Sequence, residues 1–588
     1  MKLTIFATTD VHGAIYPYNY FDRHPVNHGL INLKSYIEQY KKEHPDEIVL
    51  TVDNGDLLQG DVWSDYDVAH SSAPLIAGIL NDMYDVIGLG NHEFNFGLDY
   101  LNDIYGKVDI PVINSNIDFL DNPLKDKIDR HAIIPCDTPD GRLDVGFVSA
   151  VPTQIMKWDK YNLEGNVEVS SMKESIDAEV QVLKENGADL VILLSHSGMS
   201  RAKEDMERFG ENQTFLMTFL KDIDGIVFGH THELFPHDGY EIDVSTLDIV
   251  KGTVNGVPMV QPGVQASHLG KLTLEIDMNE GALITDSKAQ LIDAESIELT
   301  PEYLSRYETQ HNEVLKYLST EFGEIKTPWH SYFSRVAPSY SVQAVAEAVK
   351  AYTFKIEDDI DLPDLPVLAF SSAVKSGRDG ATDFTVIEKG TLTLSDAIDI
   401  YKHANSFMII KVTGDILTEW LEWAASQFTS DKDENILSPN RSRAGFPGYN
   451  FDVFVDLEYT IDISQPPRYS SSAKKISDSK RIVSVTYNGR EVRSDDEFIV
   501  PAHNYRVAYT PFLRDQEILH ESDKSIRDIV IEYMKSEPAF ELKNPITVIP
   551  SGRYYFITAT KARDYIKDEP IRHIRTMDDG FSWYEIEM

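Results

Sequence analysis

A chain of 588 residues with 96 acidic against 54 basic side chains, a net charge of −42, is too long for one core. It is also too negative to grip a nucleic-acid backbone, which needs a basic surface. No apolar run is long enough to cross a bilayer, and the single cysteine, Cys136, allows no intrachain disulfide, so the redox compartment stays open.

The first apolar run, Leu3 to Ala7, leads directly into Asp10-Val11-His12 and reads as a strand rather than a signal peptide. The expected location is therefore cytoplasmic, with an exported or cell-surface protein as the alternative. Residues two apart on an extended segment point the same way, so Asp10 and His12 face one point. Helical spacing of Leu30, Leu33, Ile37 and Tyr40 predicts a helix over His28 to Glu43. Ile48 to Val52 is a second strand, ending in Asp53-Asn54-Gly55-Asp56. A third, Tyr84 to Ile87, stops at glycines and presents Asn91 and His92. Met172 to Asn186 is a helix stopped by Gly187. The strands Asp189 to Leu194 and Gly225 to Phe228 then deliver His196, and His230 with His232. Alternating strand and helix with polar residues at the strand ends indicates an α/β sandwich with its site on one sheet edge.

The expected division is 1–300 for this domain, 301–328 for a helical linker and 329–588 for a second α/β domain. The linker reads as a long polar helix from Pro301 to Ile325. The second domain carries helices at Ser341–Lys355 and Gly414–Ser426, and two polar loops, Ser430–Pro447 and Tyr469–Arg481.

Collected together, the strand ends offer Asp10, His12, Asp56, Asn91, His196, His230 and His232. Imidazole and carboxylate ligands suit Zn, Mn, Fe or Co, and no Cys ligand points to a closed structural zinc site. Any one of these residues alone is more economically a structural histidine or an Asx-turn aspartate. Seven at five strand ends are too many for one ion and suit two divalent metal ions sharing Asp56. Such a pair clamps phosphoryl oxygens. His92 stands beside a ligand, placed to protonate a leaving alkoxide or to stabilise charge on phosphate.

Asp10-x-His12, Gly55-Asp56, Gly90-Asn91-His92-Glu93, His196 and Gly229-His230-x-His232 resemble, in order, the signature blocks of the calcineurin-like metallophosphoesterases. The resemblance implies a four-layer αββα sandwich. It implies one metal (Mn, Zn, Fe, Co or Mg) on Asp10, His12, Asp56 and His232, a second on Asp56, Asn91, His196 and His230, and His92 as the catalytic histidine. Over its whole length the chain resembles bacterial two-domain nucleotidases, which carry a 5′-nucleotidase-type C-terminal substrate domain. That family includes 5′-nucleotidases and 2′,3′-cyclic-nucleotide 2′-phosphodiesterases that also act as 3′-nucleotidases. Asn95 stands where 5′-nucleotidases typically carry the Asp that orients the histidine, which makes Asn95 the candidate partner of His92. The run Gly448-Tyr449-Asn450-Phe451-Asp452-Val453, continuing to Ser464-Gln465-Pro466-Pro467-Arg468-Tyr469, looks like the cyclic branch.

Bases bind well between aromatic faces. By the resemblance Tyr449 and Tyr505 form the stack, Asn405 bonds the base edge, and Lys375 and Arg378 contact the anion. The expected function is hydrolysis of 2′,3′-cyclic and 3′-nucleotides by a monomer acting on a small nucleotide. A broad-specificity 5′-nucleotidase is the alternative, and a non-catalytic nucleotide-binding protein is the third reading.

Overall fold

The computed structural model describes residues 1–588 other than 139–140, 241, 243, 404, 429–435, 439–445, 537, 539 and 568–569. The chain forms two compact units, 1–316 and 317–588.

Alternation along β1 (Lys2–Thr8) builds the first unit. Leu3, Ile5 and Ala7 enter the core between two sheets, while Phe6 faces the other way, its ring 5.1 Å from that of Tyr40 on α1 (Leu30–Glu43). β1 pairs in parallel with β2 (Ile48–Asp53), and β2 with β3 (Val86–Gly88). In the second sheet β4 (Gly141–Ala150), β5 (Leu190–Ser195), β6 (Gly225–Phe228) and β7 (Val257–Pro262) are also parallel neighbours. Leu190, Ile192 and Leu194 of β5 point into the inter-sheet core, whereas Val191 and Leu193 pack under Ile176, Val180 and Leu183 of α2 (Met172–Glu185). β8 (His268–Asp277) and β9 (Leu283–Asp293) close the first sheet on the free side of β1. The result is helix, sheet, sheet, helix, as expected. In each sheet the parallel strands carry their carboxyl ends to one edge.

The elements predicted in this unit are present with shifts of one or two residues at their ends. The linker differs. In place of one helix there are two, Pro301–Ser305 and Glu308–Leu318, and then a strand, Glu321–Ile325, paired with Gly390–Thr393. Each helix has its own anchor: Tyr303 donates to Glu38 at 3.0 Å, and His311 stacks on Tyr16 at 4.2 Å. Gly323 in the strand lies where a Cβ would stand 3.0 Å from the Met534 carbonyl oxygen, an approach that favours glycine.

In the second unit α3 (Tyr340–Ile356) precedes a three-stranded antiparallel sheet in the order β11–β10–β12. These strands are β10 (Ser406–Thr413), β11 (Glu497–His503) and β12 (Glu517–Ser525). Phe407 and Ile409 face α3, and Met408, Ile410 and Val412 pack with Trp420 of the helix Gly414–Ala424. Of the predicted loop Ser430–Pro447, residues 430–435 and 439–445 lie outside the described residues, and Ile436–Ser438 is a strand. Among the described residues no helix is long and apolar enough to cross a membrane.

Candidate metal centre and nucleotide cavity

β1, β2, β3, β5 and β6 each end where a ligand begins. A backbone ladder joins the first two loops, with Asp10 N donating to Gly55 O at 2.9 Å and His12 N to Asp56 O at 2.8 Å. Asp10, His12, Asp56, His230 and His232 all sit in the left-handed region, at φ of 50, 49, 55, 73 and 61°. Such backbone persists only where the surroundings over-determine it, and its clustering on five of the seven candidates marks a pre-organised site. Close approach finishes the packing. A Cβ on Gly90 would lie 2.3 Å from Asp56 Oδ1 and 2.7 Å from His196 Cε1.

Two groups of donor atoms result. Asp10, His12 and His232 form one, and Asp56, His196 and His230 the other, the atoms in each lying within 4.8 Å of one another. Asn91 belongs with the second group, its Oδ1 standing 3.1 Å from His196 Nε2 and 2.8 Å from His230 Nδ1.

The hydrogen bonds behind the imidazoles fix which nitrogen faces inward. His12 Nδ1 donates to the Gln59 carbonyl at 2.7 Å and His196 Nδ1 to the Asn54 carbonyl at 2.8 Å, so both turn Nε2 into the site. His230 is reversed: Nε2 donates to Glu211 at 3.1 Å, leaving Nδ1 inward. Ring nitrogens and carboxylate oxygens therefore converge. His12 Nε2 is 3.1 Å from His232 Nε2, and the buried Asp56 Oδ2 has no hydrogen-bond partner while lying 3.1 Å from His196 Nε2 and 3.9 Å from His12 Nε2. Imidazole nitrogens and carboxylate oxygens packed this closely need positive charge between them, as protons or as metal ions, and this donor set fits two divalent cations.

The electrostatics express the same demand for positive charge, here as a proton on His196. Burial would raise the Asp56 carboxyl, but the charges of His196 and His92 hold it well below the ordinary range. Asp10, also buried, is lowered by its hydrogen bond to His232 and by His196. Burial opposes charge on His196, yet Asp56 outweighs it and raises the imidazole to about 10, whereas burial drives His12 down to about 4.

His92 stands at the edge of this cluster, its ring 5.2 Å from that of His12. Its backbone N donates to Asp56 Oδ1 at 2.6 Å, and Nδ1 meets Asn95 Oδ1 at 2.5 Å. Behind Asn95 lies a residue the sequence reading missed: Asn95 Nδ2 donates to Asp159 Oδ1 at 2.7 Å. Burial pushes the Asp159 carboxyl up to about 6 against that hydrogen bond, so it is ionised above that pH. Glu93 was also missed. Fully buried, it accepts from Gly90 N at 2.6 Å, Leu57 N at 2.7 Å and Asp56 N at 2.8 Å, tying two ligand loops together. Its place inside Gly90-Asn91-His92-Glu93 was the available signal. Asp159 and Glu211 carried none, because neither stands at a strand end.

In the second unit a cavity of about 410 Å³ is lined by Arg378, Tyr401, Asn405, Tyr449, His503 and Tyr505 among others. Tyr505 is 40% exposed and stacks on Tyr509 at 4.7 Å. Arg506, buried on Asp452 at 2.9 Å, donates to the Tyr449 carbonyl at 2.6 Å and holds that segment. Arg378 donates to the Tyr449 hydroxyl, and Asn405 Nδ2 to that of Tyr401 at 3.0 Å. Lys375 is placed differently from the expectation of an anion contact. It is buried, pairs with Asp399 at 2.9 Å and does not line the cavity.

A double-sheet sandwich with these ligands at its strand ends defines the calcineurin-like phosphoesterases, a family the chain matches over residues 3–234. Residues 341–515 match the 5′-nucleotidase C-terminal domain. The chain belongs to this family of two-domain phosphoesterases and is a phosphoric ester hydrolase. It is 32% identical to the 2′,3′-cyclic-nucleotide 2′-phosphodiesterase/3′-nucleotidase of Haemophilus influenzae, over 100% of this chain and 95% of that protein. Identity to the trifunctional nucleotide phosphoesterase protein YfkN of Bacillus subtilis is 31%, over 100% of this chain but only 42% of that longer protein. The crystal structure of the 5′-nucleotidase precursor from Thermus thermophilus shares the fold, with a TM-score of 0.56 at 18% identity, covering 94% of this chain and 100% of that one.

Proposed function

We propose that the protein hydrolyses 2′,3′-cyclic nucleotides and 3′-nucleotides, using two divalent cations. The observation that carries the two-cation reading is the pair of inward-facing donor groups, joined by the unpartnered Asp56 Oδ2. The choice of substrate is supported by identity near 30% along the whole chain to enzymes bearing that name.

Asp10, His12, Asp56 and His232 would hold one cation, and Asp56, Asn91, His196 and His230 the other. Bound there, the cations neutralise phosphoryl oxygens and acidify a water. The chain's own part is proton handling and positioning. As the oxygen of water, having lost a proton to solvent, bonds to phosphorus, the ester bond to the ribose oxygen breaks. His92 in its imidazolium form, held through Nδ1–H by Asn95 Oδ1, gives the proton on Nε2 to that oxygen and is left as the neutral Nδ1–H tautomer. The second unit supplies base recognition, with Tyr449 and Tyr505 as stacking faces and Asn405 and Arg378 as polar contacts.

Phosphate and nucleoside release from 2′,3′-cyclic AMP, 3′-AMP and 5′-AMP, each with Mn²⁺ and with chelator, tests this. Metal-dependent turnover of the first two is expected. Preference for 5′-AMP would sink the substrate assignment and leave the metal centre standing, and turnover that survives the chelator would sink the metal centre.

A further inference from the structure

We infer that Asp159 is a positioning residue for His92: from one amide away, its carboxylate sets which way the Asn95 side chain points and hence which nitrogen of His92 meets the ester. This rests on the proton-transfer role just proposed for His92.

The argument is one of donors and acceptors. An ionised carboxylate only accepts, so at 2.7 Å from Asp159 Oδ1 the Asn95 atom must be Nδ2. Oδ1 is then turned to His92, and at 2.5 Å it accepts only if Nδ1 carries the hydrogen. Nε2 is then the nitrogen that takes up a proton and gives it to the ester oxygen. A lone asparagine could not enforce this. Rotated by half a turn, its NH₂ would face Nδ1 and select the opposite tautomer at little cost. Asp159 removes that freedom, because the rotated amide would set oxygen against carboxylate.

Asp159 is itself held firmly. It is 8% exposed and joins the two short helices Ile155–Trp158 and Lys160–Leu163, its N donating to Ile155 O at 2.9 Å. Three residues on, Asn162 Nδ2 donates to Phe94 O at 2.9 Å, which ties this segment to the turn carrying His92 and Asn95. On the other side Trp158 stacks on His230 at 5.5 Å. The backbone of Asp159 does the work of the helix junction, and its carboxylate is hydrogen-bonded to Asn95.

Asp159→Asn, neutral and of the same shape, tests the inference on phenyl phosphate and p-nitrophenyl phosphate. Phenoxide is the poorer leaving group and needs the proton that an aligned His92 supplies. Turnover of phenyl phosphate should fall about 10- to 100-fold, the usual effect of losing a hydrogen-bonded partner behind a functional side chain, while p-nitrophenyl phosphate changes little. Adding Asn95→Asp, which restores a carboxylate against Nδ1, should recover most of the loss. Asn95→Asp alone sets two carboxylates in contact and should be damaging. That opposition keeps the test alive if Asp159→Asn alone does not fold. Side-chain nitrogen spectra of ¹⁵N-histidine-labelled protein, taken where His92 is neutral, should show the Nδ1–H tautomer, and a mixture in Asp159→Asn. Equal losses on both esters, or an unchanged tautomer, would overturn the inference. Neither readout depends on which nucleotide is the natural substrate, so failure of the nucleotide assignment is seen separately.

Discussion

At the scale of single residues, the proposed site divides into side chains that would bind and side chains that would aim. The His92 ring bonds Asn95 through Nδ1 and belongs to neither donor group, so His92→Asn should lower turnover by about 10²- to 10⁴-fold, the contribution of a positioned general acid, with bound metal unchanged by elemental analysis. Near-normal turnover would remove it from the reaction. Gly90→Ala makes the opposite cut. Its methyl would strike Asp56 Oδ1 and His196 Cε1, both fully buried, so metal content and activity should fall together. Retention of full metal content would contradict the packing described. The candidate ligands were legible because strand ends expose them in sequence as short polar blocks after apolar runs. The aiming residues were not. Asp159 lies 64 positions from Asn95 and Glu211 lies 19 from His230, and only the folded chain brings them together. Lys375 shows the converse error: a charge assigned to an anion was already engaged by Asp399.

At the scale of elements, the parallel strands do the positioning. β5 carries alternate residues into two cores, and Ile192 lies fully buried between the sheets. Ile192→Ala should cost about 2–5 kcal/mol, the range for truncating a core aliphatic, read as a lower urea midpoint in chelated protein. A loss below about 1 kcal/mol would mean that the two sheets are not packed as described. Strand and helix periods made these elements readable from sequence. The linker failed because periodicity reports which residues could share a helical face, not where tertiary anchors such as Glu38 and Tyr16 interrupt it.

For the whole molecule, charge is the dominant feature. A net −42 makes the folded state self-repelling, and salt relieves this. Raising NaCl from about 0.01 to about 1 M shortens the screening length from about 30 to about 3 Å. The melting temperature of the chelated protein should therefore rise by several degrees, as scanning fluorimetry would show. A fall would mean that surface ion pairs outweigh the net repulsion. The acidic balance spoke against a nucleic-acid-gripping surface, yet said nothing of where the positive charge of metal ions would be gathered.

The left-handed backbone at Asp10, His12, Asp56, His230 and His232 has a consequence for evolution in the laboratory. Each such conformation costs a non-glycine residue on the order of 1 kcal/mol, against a net stability of about 5–15 kcal/mol for a typical domain. A library screened for heat resistance alone would therefore drift toward glycine at these five positions, gaining robustness as it lost the centre. Variants enriched by heat and variants enriched by turnover should part company at these positions first.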